Sequence, residues 1–399
     1  MARPSKRERK LPGIRKRTYT RKDGSVSEYW EYQVYARDAT GKLKREWRNA
    51  PSRKAAEEAR QERRSEIKQG TAVSATKLTL AAYLADWLPK HALKKNLRPT
   101  TRASYETIIK ERINPRLGGI LLQRLNEQHI EDFIYQLQTV GRDGKPFSGH
   151  SVRNTMVVLR EALAQARRIR LIPRNPCAEI EGVTIESKQM PQWTPAQAKQ
   201  FLGLLAKERY QTVFLIALTT GLRRGEVIGL RWEDVDFESR MLHVRQNITD
   251  VNGYLNKGKP KTPSGQRDVK LPPSAVPLLQ EHRRKQLEAR LAAGPAWVGA
   301  GEFGDLVFTT SKGLPLHPRN VYRRLTQLIK RAGLPHTGLH GLRRTASSIA
   351  HDGTKDMLAV AQMLGHAAPD VTAKHYTKAA EDAADRTAEA IERALFGTE

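Results

Sequence analysis

The sequence predicts a multidomain, mainly α-helical protein. A small three-stranded β-sheet plus helix comes first, then a helical bundle, and then a mixed α/β, mostly α, domain. The chain has 399 residues, enough for two or three domains, and 39% of them are hydrophobic, enough to fill separate cores. Polar and small residues interrupt the apolar pattern at 70–77 and 178–192. We therefore expect domains at 1–70, 78–177 and 193–399, with 178–192 as a linker.

The first domain is predicted to contain three strands followed by a helix. The pairs Asp23-Gly24 and Thr40-Gly41 are turn signals between runs of β-prone residues, and 52–68 is rich in helix formers. Successive side chains of a strand point to opposite faces. The middle run would present Trp30, Tyr32, Val34 and Ala36 on one face, and Tyr29, Glu31, Gln33, Tyr35 and Arg37 on the other.

The second domain shows apolar residues at the spacing of amphipathic helices. Four helices are predicted: one begins near Thr79, one begins at Pro99 and ends near Pro115, one contains Ile130 and one contains Val152. Their apolar stripes are most simply core. A bundle of four helices is the expected result.

The third domain opens with a helix start at Thr194, where Pro195 occupies the first helical position and Gln197 closes a capping box. Further along, 241–247, 257–262 and 267–271 are expected to be short strands around turns. The domain therefore mixes a few strands with several helices.

The last helix, predicted at 379–396, combines a narrow apolar stripe through Ala388, Ile391 and Leu395 with an excess of acidic residues. Such an Ala-rich stripe is too weak to hold an isolated helix. Its acids would be repelled by a nucleic acid. The helix is predicted to dock on a basic, partly apolar protein surface, either on its own protomer or on a neighbouring one.

Charge and composition indicate the kind of partner. The formal net charge is +28, so a polyanion is the natural partner, although a merely soluble basic protein would show the same excess. A single cysteine, Cys177, excludes an intrachain disulfide and fits a reducing compartment. The sequence has no run of about 18 apolar residues, and 1–22 lacks the apolar block of a signal peptide. A cytoplasmic location without a membrane partner is expected.

The densest group of chemically active residues lies between His340 and Tyr376. His340 and Arg343 are three positions apart, which places them on one face of a helix. Arg343 offers a planar fork of donors suited to a phosphate, and His340 can hold or accept a proton near neutral pH. Tyr376 is an oxygen nucleophile that neighbouring cations could activate. Each residue alone is more often structural, so their combination carries the prediction.

In this order and spacing, His340-x-x-Arg343, Leu-Gly-His366 and Tyr376 resemble the second half of the signature of the tyrosine recombinase, or phage integrase, family. The segment Thr-Gly-Leu-Arg-Arg-Gly-Glu at 220–226 resembles the first half. The remaining helices and strands follow the layout of the family.

The resemblance implies a set of catalytic residues: Arg223, Lys261, His340, Arg343, His366 and Tyr376, with Glu226 steadying the site. In the family, the two arginines bind the scissile phosphate, a lysine of a β-hairpin protonates the leaving oxygen, and the tyrosine forms a 3′-phosphotyrosine. Lys259 competes with Lys261 for the lysine role. Neither a metal nor another cofactor is implied.

The resemblance also implies the partners. These are double-stranded DNA attachment sites, with core sites for the helical domain and arm sites for the N-terminal domain, a homotetramer on DNA, and accessory excision and host DNA-bending proteins. The candidate DNA contacts are Lys16, Arg17, Arg21, Lys22, Lys94, Lys95, Arg98, Arg102, Arg153, Lys257 and Lys259.

The function predicted from the resemblance is site-specific recombination that integrates or excises a mobile element through a Holliday junction. Two alternatives share parts of the pattern. A type IB topoisomerase uses the same chemistry, but the N-terminal domain and the bundle argue against it. A catalytically silent DNA-binding protein would not need an intact Tyr376 together with Arg223 and Arg343.

Overall fold

The computed structural model describes residues 13–20, 26–37, 43–68, 77–185, 191–206, 208–260, 265–365 and 377–397. The chain divides into two compact units, Met1–Glu186 and Ser187–Glu399, which are described separately. The predicted fold class is confirmed, because helices dominate both units and a small sheet opens the first. The finer domain boundaries, at 70, 178 and 193, stay predictions.

The first unit begins with an antiparallel sheet in the order β1-β2-β3 and a helix: β1 (Ile14–Thr20), β2 (Val26–Arg37), β3 (Leu43–Ala50) and α1 (Arg53–Lys68). Tyr32 and Val34 of β2 are buried against Ala56 of α1. Tyr35, which points the other way, is exposed. The predicted alternation of β2 therefore separates a helix-covered face from an open one.

A helical bundle follows in the same unit: α2 (Leu80–Lys94), α3 (Pro99–Ile108), a π-helical turn (Ile109–Ile113), α4 (Asn114–Leu117), α5 (Glu127–Thr139) and α6 (Gly149–Arg168). The predicted stripes form one core. The helical run that begins at Pro99 ends at Leu117, two residues beyond Pro115, where the sequence placed its end. Pro115 lies two residues after the π-helical turn within this continuous run, so the run lacks one backbone donor there.

The second unit contains the remaining elements: α7 (Pro195–Leu204), α8 (Gln211–Thr220), α9 (Arg224–Ile228), β4 (Val235–Asp236), β5 (Met241–Val244), β6 (Asn247–Val251), β7 (Tyr254–Gly258), β8 (Arg267–Lys270), α10 (Ala275–Ala293), α11 (Pro318–Arg331), α12 (Leu339–Thr354), α13 (Met357–Leu364) and α14 (Thr377–Phe396). One sheet has the order β4-β5-β8, and β6 pairs with β7 in a separate hairpin. The apolar helix α8 is buried from its second residue to its last, and its apolar side chains belong to the core of this unit.

The β6–β7 hairpin corrects one prediction. Of the residues described within the strand expected at 257–262, Lys257 and Gly258 are the last residues of β7, and residues 259 and 260 follow the strand. Residues 261 and 262 lie outside the described residues. The hairpin closes at Asn252 and Gly253, which both have positive φ, as a tight turn of this type requires.

The C-terminal helix α14 packs against α12 of the same chain. Ile391 and Leu395 are buried in the same core as α8. The helices approach so closely that a Cβ on Gly353 of α12 would lie 2.6 Å from the Cβ of Ala390. The predicted docking surface is therefore observed, and within one protomer.

Ion pairs surround this contact. Lys270 of β8 lies 3.0 Å from the carboxylate of Asp385, and Arg386 donates to Asp356 at 2.9 Å. The body of the second unit thus neutralises one acid of α14, and one base of α14 neutralises an acid of that body. Within the described ranges, no helix is both long and apolar enough to cross a membrane.

Candidate active site

The first signature segment forms a tight corner between α8 and α9. Gly221 ends α8 with a φ of +62°, and a Cβ there would lie 2.9 Å from the side chain of Leu364. This corner places Arg223 directly before α9. Its Nη1 donates to Oε1 of Glu226 at 2.8 Å, while its side chain stays 29% exposed. Arg223 is thus fixed on one side and accessible on the other.

Glu226 is the buried anchor of this corner, with a side chain only 1% exposed. Its Oε2 accepts from the backbone N–H of Arg223 at 2.9 Å and from Nη2 of Arg267 at 3.0 Å. Burial by itself would raise the pKa of this carboxyl. The charge of Arg267 and the hydrogen bonds from both arginines outweigh burial and hold the pKa below its ordinary value. Glu226 is therefore ionised at neutral pH.

Arg343 lies on α12, is 2% exposed and reaches two different segments. Its Nη1 donates to the carbonyl of Gly221 at 2.8 Å, and its Nη2 donates to the carbonyl of Leu364 at 2.5 Å. Burial, together with the charges of Arg223 and Arg267, lowers the pKa of Arg343 to about 10. The guanidinium remains charged at neutral pH but is held in a strongly positive environment.

Arg267 was not predicted from the sequence as a site residue. It opens β8, its side chain is 6% exposed, and it contacts Glu226. One signal could have found it, because Arg267 is two positions before the buried Val269 and must face the same side of the strand. An arginine that faces inward next to apolar residues needs a carboxylate partner.

The other predicted site residues are placed to different degrees. His340 is exposed in the first turn of α12, one turn before Arg343. Lys259 is exposed just after β7. Lys261, His366 and Tyr376 lie outside the described residues. The structure therefore brings together Arg223, Glu226 and Arg343 and leaves the remaining assignments as predictions.

The candidate DNA contacts occupy several surfaces. On the first unit, Lys94, Lys95, Arg98 and Arg102 are exposed around the turn between α2 and α3, and Arg153 is exposed on α6. On the second unit, Lys257 donates to the carbonyl of Glu302 at 2.7 Å.

The N-terminal contacts separate by face. Arg17 pairs in register with Tyr29, whereas Lys16 pairs with Trp30. These neighbours lie on opposite faces of β1, so one groove cannot meet both through the same face. Arg21 and Lys22 lie outside the described residues.

The chemistry of the site follows from its charges. Three guanidinium groups (Arg223, Arg267 and Arg343) surround one carboxylate, so the cluster carries a net positive charge. Buried guanidiniums favour a tetrahedral anion with several oxygens, such as a phosphate. Within the part of the chain that the structure describes, no group of acidic, His or Cys side chains could hold a metal ion.

Two family profiles match the chain. Residues 192–382 match the Phage integrase family, and residues 79–138 match the Phage integrase, N-terminal SAM-like domain. The first match includes the whole arginine cluster, and the second covers much of the helical bundle.

Relatives extend over most of the chain. It is 29% identical over 367 residues to a tyrosine recombinase XerC-like protein of Caldanaerobacter subterraneus subsp. tengcongensis, a match that covers 88% of this chain and 92% of the relative. It is 25% identical to the ICEBs1 integrase of Bacillus subtilis, covering 70% of this chain and 74% of that one.

Solved structures share the fold. An integrase of the Tn1549 transposon, in complex with a circular intermediate DNA, superposes with a TM-score of 0.61 at 20% identity, covering 76% of this chain and 99% of that one. A lambda integrase tetramer bound to a Holliday junction gives 0.52 at 17% identity, covering 92% and 95%. Taken with the profiles and the relatives, the signature and its arginine cluster show that the chain belongs to the phage integrase family and is a tyrosine site-specific recombinase.

Proposed function

We propose that this recombinase integrates and excises a mobile element by cutting and rejoining DNA through a 3′-phosphotyrosine and a Holliday junction. The observation that carries the proposal is the arrangement of Arg223 and Arg343 around the corner at Gly221. Arg223 is partly exposed, and each terminal nitrogen of Arg343 keeps a second N–H besides the one given to a carbonyl. A DNA phosphate placed at this corner would therefore find donors from both guanidiniums.

The proposed cleavage step uses the predicted site residues. Arg223 and Arg343 bind the non-bridging oxygens of the scissile phosphate and offset charge in the transition state. The phenolic oxygen of Tyr376 attacks phosphorus, His340 accepts its proton, and the bond from phosphorus to the 5′-oxygen breaks. Lys261 gives a proton to that leaving oxygen.

His366 is proposed to donate a hydrogen bond to the phosphate. Attack by the 5′-hydroxyl of a partner strand reverses the step and joins the two duplexes. Since the phosphoester bond is exchanged rather than hydrolysed, the reaction needs no external energy source.

The direct test is the chemistry of the covalent adduct. Wild-type protein is incubated with a nicked duplex that carries the element–host junction, as mapped by sequencing. We expect protein attached to the 3′ end of the cut strand and a free 5′-hydroxyl that a polynucleotide kinase can label. A 5′-linked adduct would contradict the proposal. An adduct that relaxes supercoiled DNA but never joins two duplexes would favour the topoisomerase alternative.

The lysine that protonates the leaving oxygen can be identified with a modified substrate. Lys261→Ala should stall cleavage of an ordinary phosphate but cleave a 5′-bridging phosphorothioate, because a thiolate leaves without a proton. Lys259→Ala is the matched variant, and its cleavage of both substrates should remain nearly normal. Rescue of Lys259→Ala instead, measured as single-turnover rates, would transfer the role to Lys259.

The N-terminal sheet is proposed to bind arm-type DNA sites with its open face. Arg17 lies on that face and Arg45 is exposed on β3, paired in register with the exposed Tyr35. The other face is covered by α1. A sheet pressed into a groove by its open side would bring these arginines to the DNA.

Deletion of residues 1–70 should spare core-site binding and abolish arm-site binding in gel-shift assays. In the full chain, Arg17→Gln with Arg45→Gln should weaken arm-site binding and reduce its salt dependence. Binding with fewer phosphate contacts releases fewer counterions from the DNA. Lys16→Gln, on the opposite face, is the control and should change little. Unaltered arm-site binding by the deletion variant would refute the assignment.

The partners follow from this function. We propose a homotetramer on the DNA, in line with the lambda integrase tetramer bound to a Holliday junction. An excision factor and a host DNA-bending protein would set the direction of recombination, and the reaction would take place at the nucleoid in the bacterial cytoplasm.

A further inference from the structure

Arg267 connects three parts of the site that are distant in the sequence. Its Nε donates to the carbonyl of Met363 at 2.7 Å, its Nη2 to Glu226 at 3.0 Å and its Nη1 to the carbonyl of Gly265 at 3.1 Å. These contacts reach the end of α13, the start of α9 and the segment that enters β8. The side chain is almost fully buried.

The end of α13 is held by two arginines. Arg267 binds the carbonyl of Met363, and Arg343 binds the carbonyl of Leu364. The last carbonyls of a helix have no partner within it and carry partial negative charge, so cations bind them well. Gly365 ends the helix with a φ of +62°, and His366 follows it in the sequence. The two arginines therefore fix the backbone that leads to His366.

Arg267 also determines which oxygen of Glu226 accepts a hydrogen bond from the side chain of Arg223. The carboxylate Oε2 accepts from the side chain of Arg267, while Oε1 accepts from Nη1 of Arg223. Without Arg267, Oε2 would keep its bond from the backbone N–H of Arg223 and could accept a second bond, from the side chain of Arg223. A guanidinium readily forms two parallel bonds with a carboxylate. That change would turn donors of Arg223 toward Glu226.

We propose that Arg267 is a positioning residue for strand cleavage. It occupies one oxygen of Glu226 and one terminal carbonyl of α13, so that Arg223 and Arg343 present their donors to the same phosphate. Arg267 itself binds protein groups and does not contact the DNA. The inference rests on the proposed function and adds a residue to its machinery.

The test compares Arg267 with a matched arginine outside the site. Arg231 binds Asp234 at 2.7 Å, and the side chain of Asp234 is 1% exposed, like that of Glu226. The variants are Arg267→Gln, Arg267→Lys, Arg231→Gln and Arg231→Lys in the full chain. Single-turnover adduct formation on the nicked junction duplex is measured well below the Tm of every variant. Binding of the same duplex is measured in parallel.

We expect Arg267→Gln to lower the cleavage rate by about a hundredfold, the effect of misplacing a reacting group by about 1 Å. Duplex affinity should change little. Arg267→Lys should recover part of the rate, because an ammonium can reach one of the two main acceptors, and it also serves if the Gln variant folds poorly. Both Arg231 variants should cleave like the wild type. Equal losses at both positions would overturn the proposal.

A double variant with Arg223 distinguishes a positioning role of Arg267 from a general loss of structure. In an Arg223→Lys background, adding Arg267→Gln should lower the cleavage rate further by less than about threefold. The reason is that the pair of arginines that Arg267 aligns is already impaired by the first substitution. A further hundredfold loss would show that Arg267 acts independently and would overturn the inference. If the wild-type protein forms no adduct on this duplex, the proposed function fails. If the wild-type protein forms the adduct and the Arg267 variants form it at the wild-type rate, the inference alone fails.

Discussion

Tyr376→Phe is expected to bind DNA like the wild-type protein and to form no covalent adduct. The substitution removes only the phenolic oxygen, which is the proposed nucleophile, and leaves the aromatic ring in place. Tyr376 stands between the end of α13 at Leu364 and the start of α14 at Thr377, two helices anchored on the body of the second unit. In the sequence, Tyr376 therefore directly precedes a helix that packs on the unit carrying the arginine cluster.

Denaturing gels of the protein with a nicked junction duplex measure this effect, and gel shifts measure binding. Tyr322→Phe, on α11 of the same unit, is a suitable control and should form adducts at the normal rate. An adduct that persists in Tyr376→Phe would place the nucleophile on another residue.

A second large effect is expected from Ile391→Asp combined with Leu395→Asp. Both side chains are at most 5% exposed and belong to the core that contains α8. Each substitution removes a buried apolar side chain and places a charge in an apolar environment. The free energy of unfolding should fall by about 3–5 kcal/mol for each residue. A domain is stable by only about 5–15 kcal/mol, so the second unit should unfold or melt at a much lower temperature.

The sequence left open whether the tail helix docks on its own protomer or on a neighbouring one, and the two arrangements predict different outcomes for this double variant. A tail helix docked on a neighbouring protomer would leave single-protomer DNA binding intact in this double variant and block only synapsis. Docking within the chain predicts the loss of cleavage as well. Thermal melting and adduct yield are the measurements, with Glu389→Asp plus Arg393→Asp at exposed positions of α14 as the control. A double variant with a normal Tm and normal cleavage would contradict the role of α14 in this core.

The sequence was informative where local pattern and chemistry coincide. The apolar stripes gave the bundle, the alternation gave the faces of β2, and the signature segment at 220–226 was recognisable from its residues. Arg267 was missed because the local alternation indicates only that its side chain faces inward, whereas its role depends on Glu226 and Met363, which are 41 and 96 positions away. The β6–β7 hairpin was missed although Asn252-Gly253 is a strong turn signal, because its flanking strands are short.

The tail helix shows a different limit. Its composition predicted a basic, partly apolar docking surface, and Lys270, near Asp385, belongs to that surface. Composition cannot say which copy of the chain supplies the surface, since both copies carry it. Only the packing of α14 against α12 decides this for the single chain.

The close approach of Gly353 and Ala390 has a consequence for how relatives of this protein diverge. A side chain at position 353 would collide with the methyl group at position 390, since their Cβ atoms would lie 2.6 Å apart. A larger side chain at one position is tolerated only if the side chain at the other becomes smaller or the two helices move apart. Lineages that have replaced the glycine should therefore carry a glycine or a displaced helix opposite it, so the two positions should drift as a pair.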